Sequence, residues 1–130
     1  IERYEIIRKV QEPIVVAAGW KPGWSTDYCA TLLCEDYGID TIINLSNVPQ
    51  VYDKDPNKFK DAKATAKMTW EDFRVLVGDT WLPGMHAPFD PVAAKRAQDL
   101  GIRVVCMGDD FENIASYFRK ENYLGTVIES

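Results

Sequence analysis

Short apolar runs alternate with amphipathic helical stretches along this chain, and that alternation leaves few folds open. Ile14-Val15-Val16-Ala17-Ala18, Thr41-Ile42-Ile43-Asn44-Leu45, Ile102 through Met107 and Thr126-Val127-Ile128 are the runs. Runs of this length with little polar alternation fit strands covered on both faces. The stretches between them carry apolar residues at helical spacing. Residues 2–11, with Tyr4, Ile7 and Val10, read as a helix that Pro13 ends. Residues 26–37 read as the next, with Ala30, Leu33, Cys34 and Tyr37 on one face and Gly38 as the stop. Thr69 caps a third, with Asp72 three residues on, Trp70, Phe73 and Val77 facing inward, and Gly78 at the end. Asp90-Pro91 starts a fourth, with Ala93, Ala97 and Leu100 inward and Gly101 as terminator. Phe111, Ile114, Ala115 and Phe118 mark a fifth. Alternating strands and helices predict an α/β chain whose mainly parallel sheet is covered by helices on both faces, joined by right-handed crossovers.

Two loops carry the candidate chemistry. Gly19-Trp20-Lys21-Pro22-Gly23-Trp24-Ser25-Thr26-Asp27 follows the first apolar run and opens a helix. Asn44-Leu45-Ser46-Asn47 through Tyr52-Asp53-Lys54-Asp55-Pro56 follows the second. Open α/β sheets bind ligands outside the carboxyl ends of their strands. Gly19 and Gly23 let backbone approach an anion and permit positive φ, and Pro22 stiffens the turn. Ser25 and Thr26 place hydroxyls where the first helical N–H groups lack partners and the helix end is partly positive. Such an end favours an anion by about 0.3–1 kcal/mol. Lys21 adds a charge. The same spacing also serves a plain strand-to-helix connection with Ser25 or Thr26 as N-cap, in which Asp27 only complements the dipole. In the second loop Tyr52 offers a ring on which a base can stack, worth roughly 1–3 kcal/mol. Ser46 and Asn47 offer hydrogen bonds to base or ribose. A turn with a half-buried tyrosine is the structural alternative.

Other features narrow the field. A net charge of −5 and a pI of about 4.8 argue against a nucleic-acid partner. No apolar run approaches the roughly 20 residues of a membrane span, and no signal peptide is visible. Cys29, Cys34 and Cys106 lack metal spacing and read as buried, reduced thiols of a cytoplasmic protein. Asp53 and Asp55 lack the rest of a calcium loop. His86, the one histidine, has no partner nucleophile. Residues 47–67, polar and with five lysines, read as a surface excursion with room for a short hairpin. The 130 residues are taken as one domain, and the start at Ile1 within a helical pattern points to an absent N-terminal part.

Ala17-Ala18-Gly19-Trp20-Lys21-Pro22-Gly23-Trp24-Ser25-Thr26-Asp27 resembles the G-x-x-P-[FG]-x-[ST]-T-D segment of uridylate (UMP) kinases, in the amino-acid kinase superfamily. Asn44-Leu45-Ser46-Asn47-Val48-Pro49-Gln50-Val51-Tyr52-Asp53-Lys54-Asp55-Pro56 resembles their T-N-V-D-G-V-Y-x-x-D-P segment. His86 to Ala97 and Gly125 to Ile128 are similar to the end of the same family, so the resemblance covers nearly the whole chain. It implies phosphoryl transfer from ATP to UMP with Mg2+, giving ADP and UDP, in pyrimidine nucleotide biosynthesis. It implies UMP, chiefly its phosphate, on Gly19 through Thr26, ATP on Ser46, Asn47, Tyr52 and Asp55, and Asp27 as the catalytic acid near the phosphates. No residue is assigned to a protein-held metal. Cytoplasmic homo-oligomers, commonly hexamers, are also implied. Two departures stand out. The family's Asp-Gly is Pro49-Gln50 here, which makes a positive-φ turn harder and predicts a nucleotide loop of different shape. The family's N-terminal lobe, with its glycine-rich loop and cationic donors, has no counterpart, so the chain reads as the C-terminal nucleotide-binding part and is expected to have little kinase activity alone. A kinase of another small acidic metabolite on the same fold, or a nucleotide-binding or storage protein without phosphoryl transfer, remain alternatives.

Overall fold

Pairing of the apolar runs builds the molecule. A computed structural model of the chain describes residues 10–56, 58–80 and 87–130. Helix α1 (Thr26–Tyr37) leads into strand β1 (Thr41–Ser46), the short strands β2 (Val51–Tyr52), β3 (Ala64–Thr65) and β4 (Lys67–Thr69), and helix α2 (Trp70–Val77). Helix α3 (Pro91–Asp99), strand β5 (Arg103–Gly108), helix α4 (Phe111–Phe118) and strand β6 (Thr126–Glu129) complete the order. The main sheet runs β1-β5-β6-β4, and β2 and β3 form a separate antiparallel hairpin within the surface excursion. β1 pairs with β5 in parallel from Thr41↔Arg103 to Ser46↔Gly108, and β4 pairs with β6 in parallel. β5 and β6 are antiparallel. The sheet is therefore mainly parallel and flanked by helices, as expected.

β5 is the centre. Val104, Val105, Cys106 and Met107 are all buried, so both of its faces are covered, which is why its sequence shows no polar alternation. On one face α1 packs over β1, α3 over β5, and α2 over β4 and β6, with α3 touching both other helices. Trp70, Phe73, Phe89, Ala93, Ala94 and Ala97 fill the space between these helices and Val104, Cys106 and Ile128. The Trp70 indole N–H donates to the Ile102 carbonyl at 3.0 Å, so the bulkiest core side chain brings no unpaired donor inside.

Local chemistry sets the helix ends. Ser25, Thr69, Asp90 and Asp110 cap α1, α2, α3 and α4 through their side-chain oxygens. Gly38 ends α1 in the left-handed region at φ 67°.

Several expectations are corrected. Residues 14–18 form no strand: Ile14 is 83 % and Val16 95 % exposed. An apolar run becomes a strand only with a neighbour to pair with and a layer to bury it. In α1 the buried positions are Cys29, Thr31, Leu32 and Cys34, so the helix is turned from the predicted face; Ala30, Leu33 and Tyr37 are half-buried. In α3 the third inward residue is Ala94 rather than Leu100, which is partly exposed. Phe111 and Phe118 of α4 are exposed. β4 was not foreseen. The predicted helix over residues 2–11 falls largely outside the described residues, as do Trp81 and His86.

Candidate functional site

Lys21 through Trp24 form a tight turn whose type follows from its residues. The Trp24 N–H bonds the Lys21 carbonyl at 3.2 Å, with Pro22 and Gly23 between them and Gly23 at φ 87°. Proline then glycine at positive φ is the pattern of a type II turn. Gly23 is thus required by backbone conformation. Gly19 is not: it has no positive φ, and a Cβ there would meet only the Thr26 side chain at 4.0 Å.

The turn delivers Ser25 to the start of α1, where its hydroxyl oxygen accepts from the Tyr28 N–H at 3.0 Å. That hydroxyl also donates to the Asp90 carboxylate. A cleft of about 310 Å³ opens here, lined by Gly23, Trp24, Ser25, Tyr28, Asp90 and Val92. Its aromatic wall is braced: Trp24 and Tyr28 meet edge to face at 5.1 Å, Lys21 lies 4.8 Å over Trp24, and Arg96 lies 5.7 Å from the Tyr28 ring while pairing with Glu35.

Of the first-loop residues, Gly23, Trp24 and Ser25 share this cleft. Gly19, Trp20, Lys21, Pro22 and Thr26 are outside its lining, and Thr26 is exposed at the first turn of α1. Asp27 does something sequence reasoning did not foresee. Its carboxylate accepts the Asp90 backbone N–H at 2.9 Å. Burial pushes the Asp27 carboxyl above the usual aspartate range; the bond from Asp90 opposes that shift and the nearby Asp90 charge adds to it.

The second cleft, about 390 Å³, is lined by Ser46, Asn47, Val48, Gln50, Tyr52, Lys54, Asp55 and Pro56 on one side. Leu76, Val77, Ala87 and Pro88 form an apolar wall opposite. All four residues assigned to this loop, Ser46, Asn47, Tyr52 and Asp55, are brought together here. The Ser46 hydroxyl accepts from the Val48 N–H and donates to the Val48 carbonyl, both at 3.1 Å, closing the turn. Lys54 brings a cation, held 2.6 Å from Asp61 and 5.5 Å from the Phe59 ring. Gln50 does not take a positive φ. Its side-chain amide donates to the Gly125 carbonyl at 3.1 Å, and the Val51 N–H bonds the Thr126 hydroxyl at 2.8 Å. The Pro49-Gln50 turn is thereby pinned to the start of β6 without needing the family's glycine.

The two clefts are neighbours. Pro88 lines one and Asp90 the other. Two residues along a chain, their Cα atoms are at most about 7.6 Å apart. Phe89 between them is fully buried in the core, and the Pro88 carbonyl accepts from the Asn44 side chain at 2.6 Å. Cys106 stands opposite Asn44 in the β1–β5 register, and burial pushes its thiol up to about 12. A thiol there is inert at neutral pH.

Asp90, Asn44, Gln50 and Lys54 were missed as site residues. Asp90 was legible only as a helix cap, because its partners Ser25 and Asp27 lie 65 and 63 positions away. Among the described residues no three His, Cys, Asp or Glu side chains converge as a metal cage, and no helix is long and apolar enough to cross a membrane.

The model of the amino acid kinase family matches residues 4–108. Uridylate kinase of Thermoplasma volcanium is 34 % identical over 116 residues, covering 88 % of this chain and 51 % of that protein. Uridylate kinase of Sulfurisphaera tokodaii is 34 % identical over 131 residues, covering 99 % of this chain and 56 % of that protein. The crystal structure of uridylate kinase from Archaeoglobus fulgidus superposes with a TM-score of 0.69 at 31 % identity, covering 85 % of this chain and 49 % of the other. The chain spans about half the length of the curated relatives it matches.

Proposed function

The chain belongs to the amino acid kinase family, and we propose from that membership and from its two adjoining clefts that it holds the nucleotides of a uridylate kinase. The reaction is transfer of the ATP γ-phosphoryl group to UMP. A UMP phosphate oxygen forms the new bond to γ-phosphorus, the bond from γ-phosphorus to the β-bridging oxygen breaks, and ADP and UDP result. The cleft around Tyr52 takes ATP: the ring stacks on the base, the wall of Leu76, Val77, Ala87 and Pro88 shields it, and Lys54 and the polar turn at Ser46-Asn47 face the ribose and phosphates. The cleft around Ser25 takes UMP, with its phosphate near the first N–H groups of α1. Asp27 is the acid placed beside the transferring group.

The observation that carries this reading is the adjacency of the clefts, one lined by Pro88 and the other by Asp90 two residues on. Phosphoryl transfer between nucleotides asks mainly for positioning and charge stabilisation, and neighbouring clefts on one rigid strap supply positioning. Magnesium, when bound, neutralises charge on the phosphates. The donor set fits an ion carried by the nucleotide, because Mg2+ is commonly held by one or two carboxylates plus substrate phosphates, and among the described residues Asp55 and Asp27 belong to no cluster of three or more ligating side chains.

A second reading, a nucleotide-binding protein without transfer, draws on the Asp27 carboxylate already accepting a bond from the Asp90 N–H. Calorimetric titration with ATP and with UMP, with UDP formation followed in parallel, separates the readings. Saturable binding of both nucleotides is expected, and a chain that binds neither rules out both. In a protein that turns over, Asp27→Asn should abolish UDP formation and spare binding; retained turnover removes Asp27 from the chemistry.

A further inference from the structure

We propose that Asp90 is a positioning residue, tying the Gly23–Ser25 turn to the strap that also walls the neighbouring cleft. The reason is a closed set of hydrogen bonds between two helix starts. Ser25 caps α1 and Asp90 caps α3. The Ser25 hydroxyl donates to Asp90 Oδ2. Asp90 Oδ1 accepts from the Val92 N–H at 2.6 Å and the Ala93 N–H at 3.2 Å. In the opposite sense, the Asp90 N–H donates to Asp27 Oδ2 at 2.9 Å. One bond between two segments permits swivelling about its axis. Two bonds of opposite polarity, on different atoms, fix separation and orientation together.

Asp90 is only 4 % exposed, so water competes weakly for these partners. Its charge is largely answered by three donors, two of them N–H groups at a helix start. That matters beside a site for a phosphate: an uncompensated carboxylate would repel the dianion, whereas this one is spent on holding the turn. The residues before it cannot slide, because the Phe89 ring is sunk in the core and the Pro88 carbonyl is held by Asn44. With Pro88 and Phe89 held independently, loss of the Asp90 side chain frees the Ser25 turn and leaves the Pro88 wall in place, so the residue sets where the Ser25 cleft stands relative to its neighbour.

The inference rests on the acceptor reading of the Ser25 cleft, and two readouts on the whole chain separate its failure from that of the reading. The variants are Asp90→Ala, Ser25→Ala and Asp90→Asn. Asparagine remains a good cap and its amide is able to donate to Ser25 Oγ, so it restores the tie with reversed polarity. Hydrogen exchange needs no ligand. Asp90→Ala and Ser25→Ala should speed exchange at the amides of residues 23–28 by about tenfold or more, while those of 104–107 stay as in the parent. UMP should bind those two variants about tenfold more weakly, with ATP affinity held within roughly threefold, and Asp90→Asn should recover both readouts. Unchanged exchange at residues 23–28 in both alanine variants overturns the proposal. So does equal loss of UMP and ATP, which marks a role in folding alone. If Asp90→Ala does not fold, Ser25→Ala carries the same test. A parent chain that fails to bind UMP while exchange responds as expected removes the acceptor reading and leaves the tie supported.

Discussion

The side-chain amide of Asn44 donates to the carbonyl oxygen of Pro88 at 2.6 Å, across 44 positions of sequence. The carboxyl end of β1 thus reaches over to hold the segment that separates the two clefts. Asn44 and Cys106 face each other in the β1–β5 register, so this bond joins strand pairing directly to site geometry. Removing it with Asn44→Ala leaves a carbonyl without its partner. A loss of about 1–3 kcal/mol is expected, read as a lower urea midpoint, with weaker ATP binding as the strap relaxes. An unaltered midpoint would show that the strap is held by Phe89 alone.

Tyr52 tests the donor cleft. If its ring carries the base, Tyr52→Ala should cost about 1–3 kcal/mol of ATP affinity. Tyr52→Phe keeps the ring and should bind nearly as the parent does. Calorimetry on the pair separates stacking from hydroxyl bonding, and equal losses in both variants would assign the effect to the hydroxyl.

Asp27 should leave a signature in the pH dependence of stability. Its folded carboxyl is raised above the ordinary aspartate range, chiefly by burial. A group of this kind holds its proton more tightly folded than unfolded. Stability therefore falls as pH rises from the unfolded value through the folded one, and the penalty is fully present above the folded value. Asp27→Asn keeps an oxygen for the Asp90 N–H and carries no charge. The variant should gain relative to the parent as pH rises through that window. Urea midpoints for both proteins across the acid range check it, since carboxylates not coupled to Asp27 cancel in the difference; a difference that shrinks with rising pH would refute it.

Trp70 anchors the packing beneath the site. It is 1 % exposed, meets Phe73 edge to face at 5.9 Å and lies 6.2 Å from Phe89. Trp70→Ala should destabilise by about 3–5 kcal/mol. Trp70→Phe refills most of the volume and mainly deprives the Ile102 carbonyl of its donor, for about 1–3 kcal/mol. Denaturant melts of the two variants give the order, and a Phe variant as weak as the Ala one would contradict the volume argument.

What the sequence made legible is what a few neighbouring residues decide. Ser25, Thr69 and Asp90 announce helix starts because their oxygens serve N–H groups two or three positions on. Pro22-Gly23 announces its turn because glycine is the residue that takes that φ readily. The Tyr52 loop was legible because its residues reach the same cleft from one short stretch. Periodicity marks an apolar face but not whether anything lies against it: Phe111 and Phe118 mark α4 and are exposed. β4 is three residues of unremarkable composition and exists through its pairing with β6. Ile14–Ala18 has strand composition and no strand partner among the described residues. The second bonds of Asp90 were hidden for a related reason: a cap is local, whereas its use as a tie depends on where distant chain folds back.

The β1–β5 ladder has a consequence for how the chain is made. Thr41 pairs with Arg103, 62 positions later, and β5 must lie between β1 and β6 before the sheet is whole. At roughly 5–20 residues per second on the ribosome, β1 waits about 3–12 s for its partner to be synthesised. Through that interval Ile42 and Ile43 have no β5 beside them, so the edge of β1 that faces β5 stays unpaired by it until the later strand has been made.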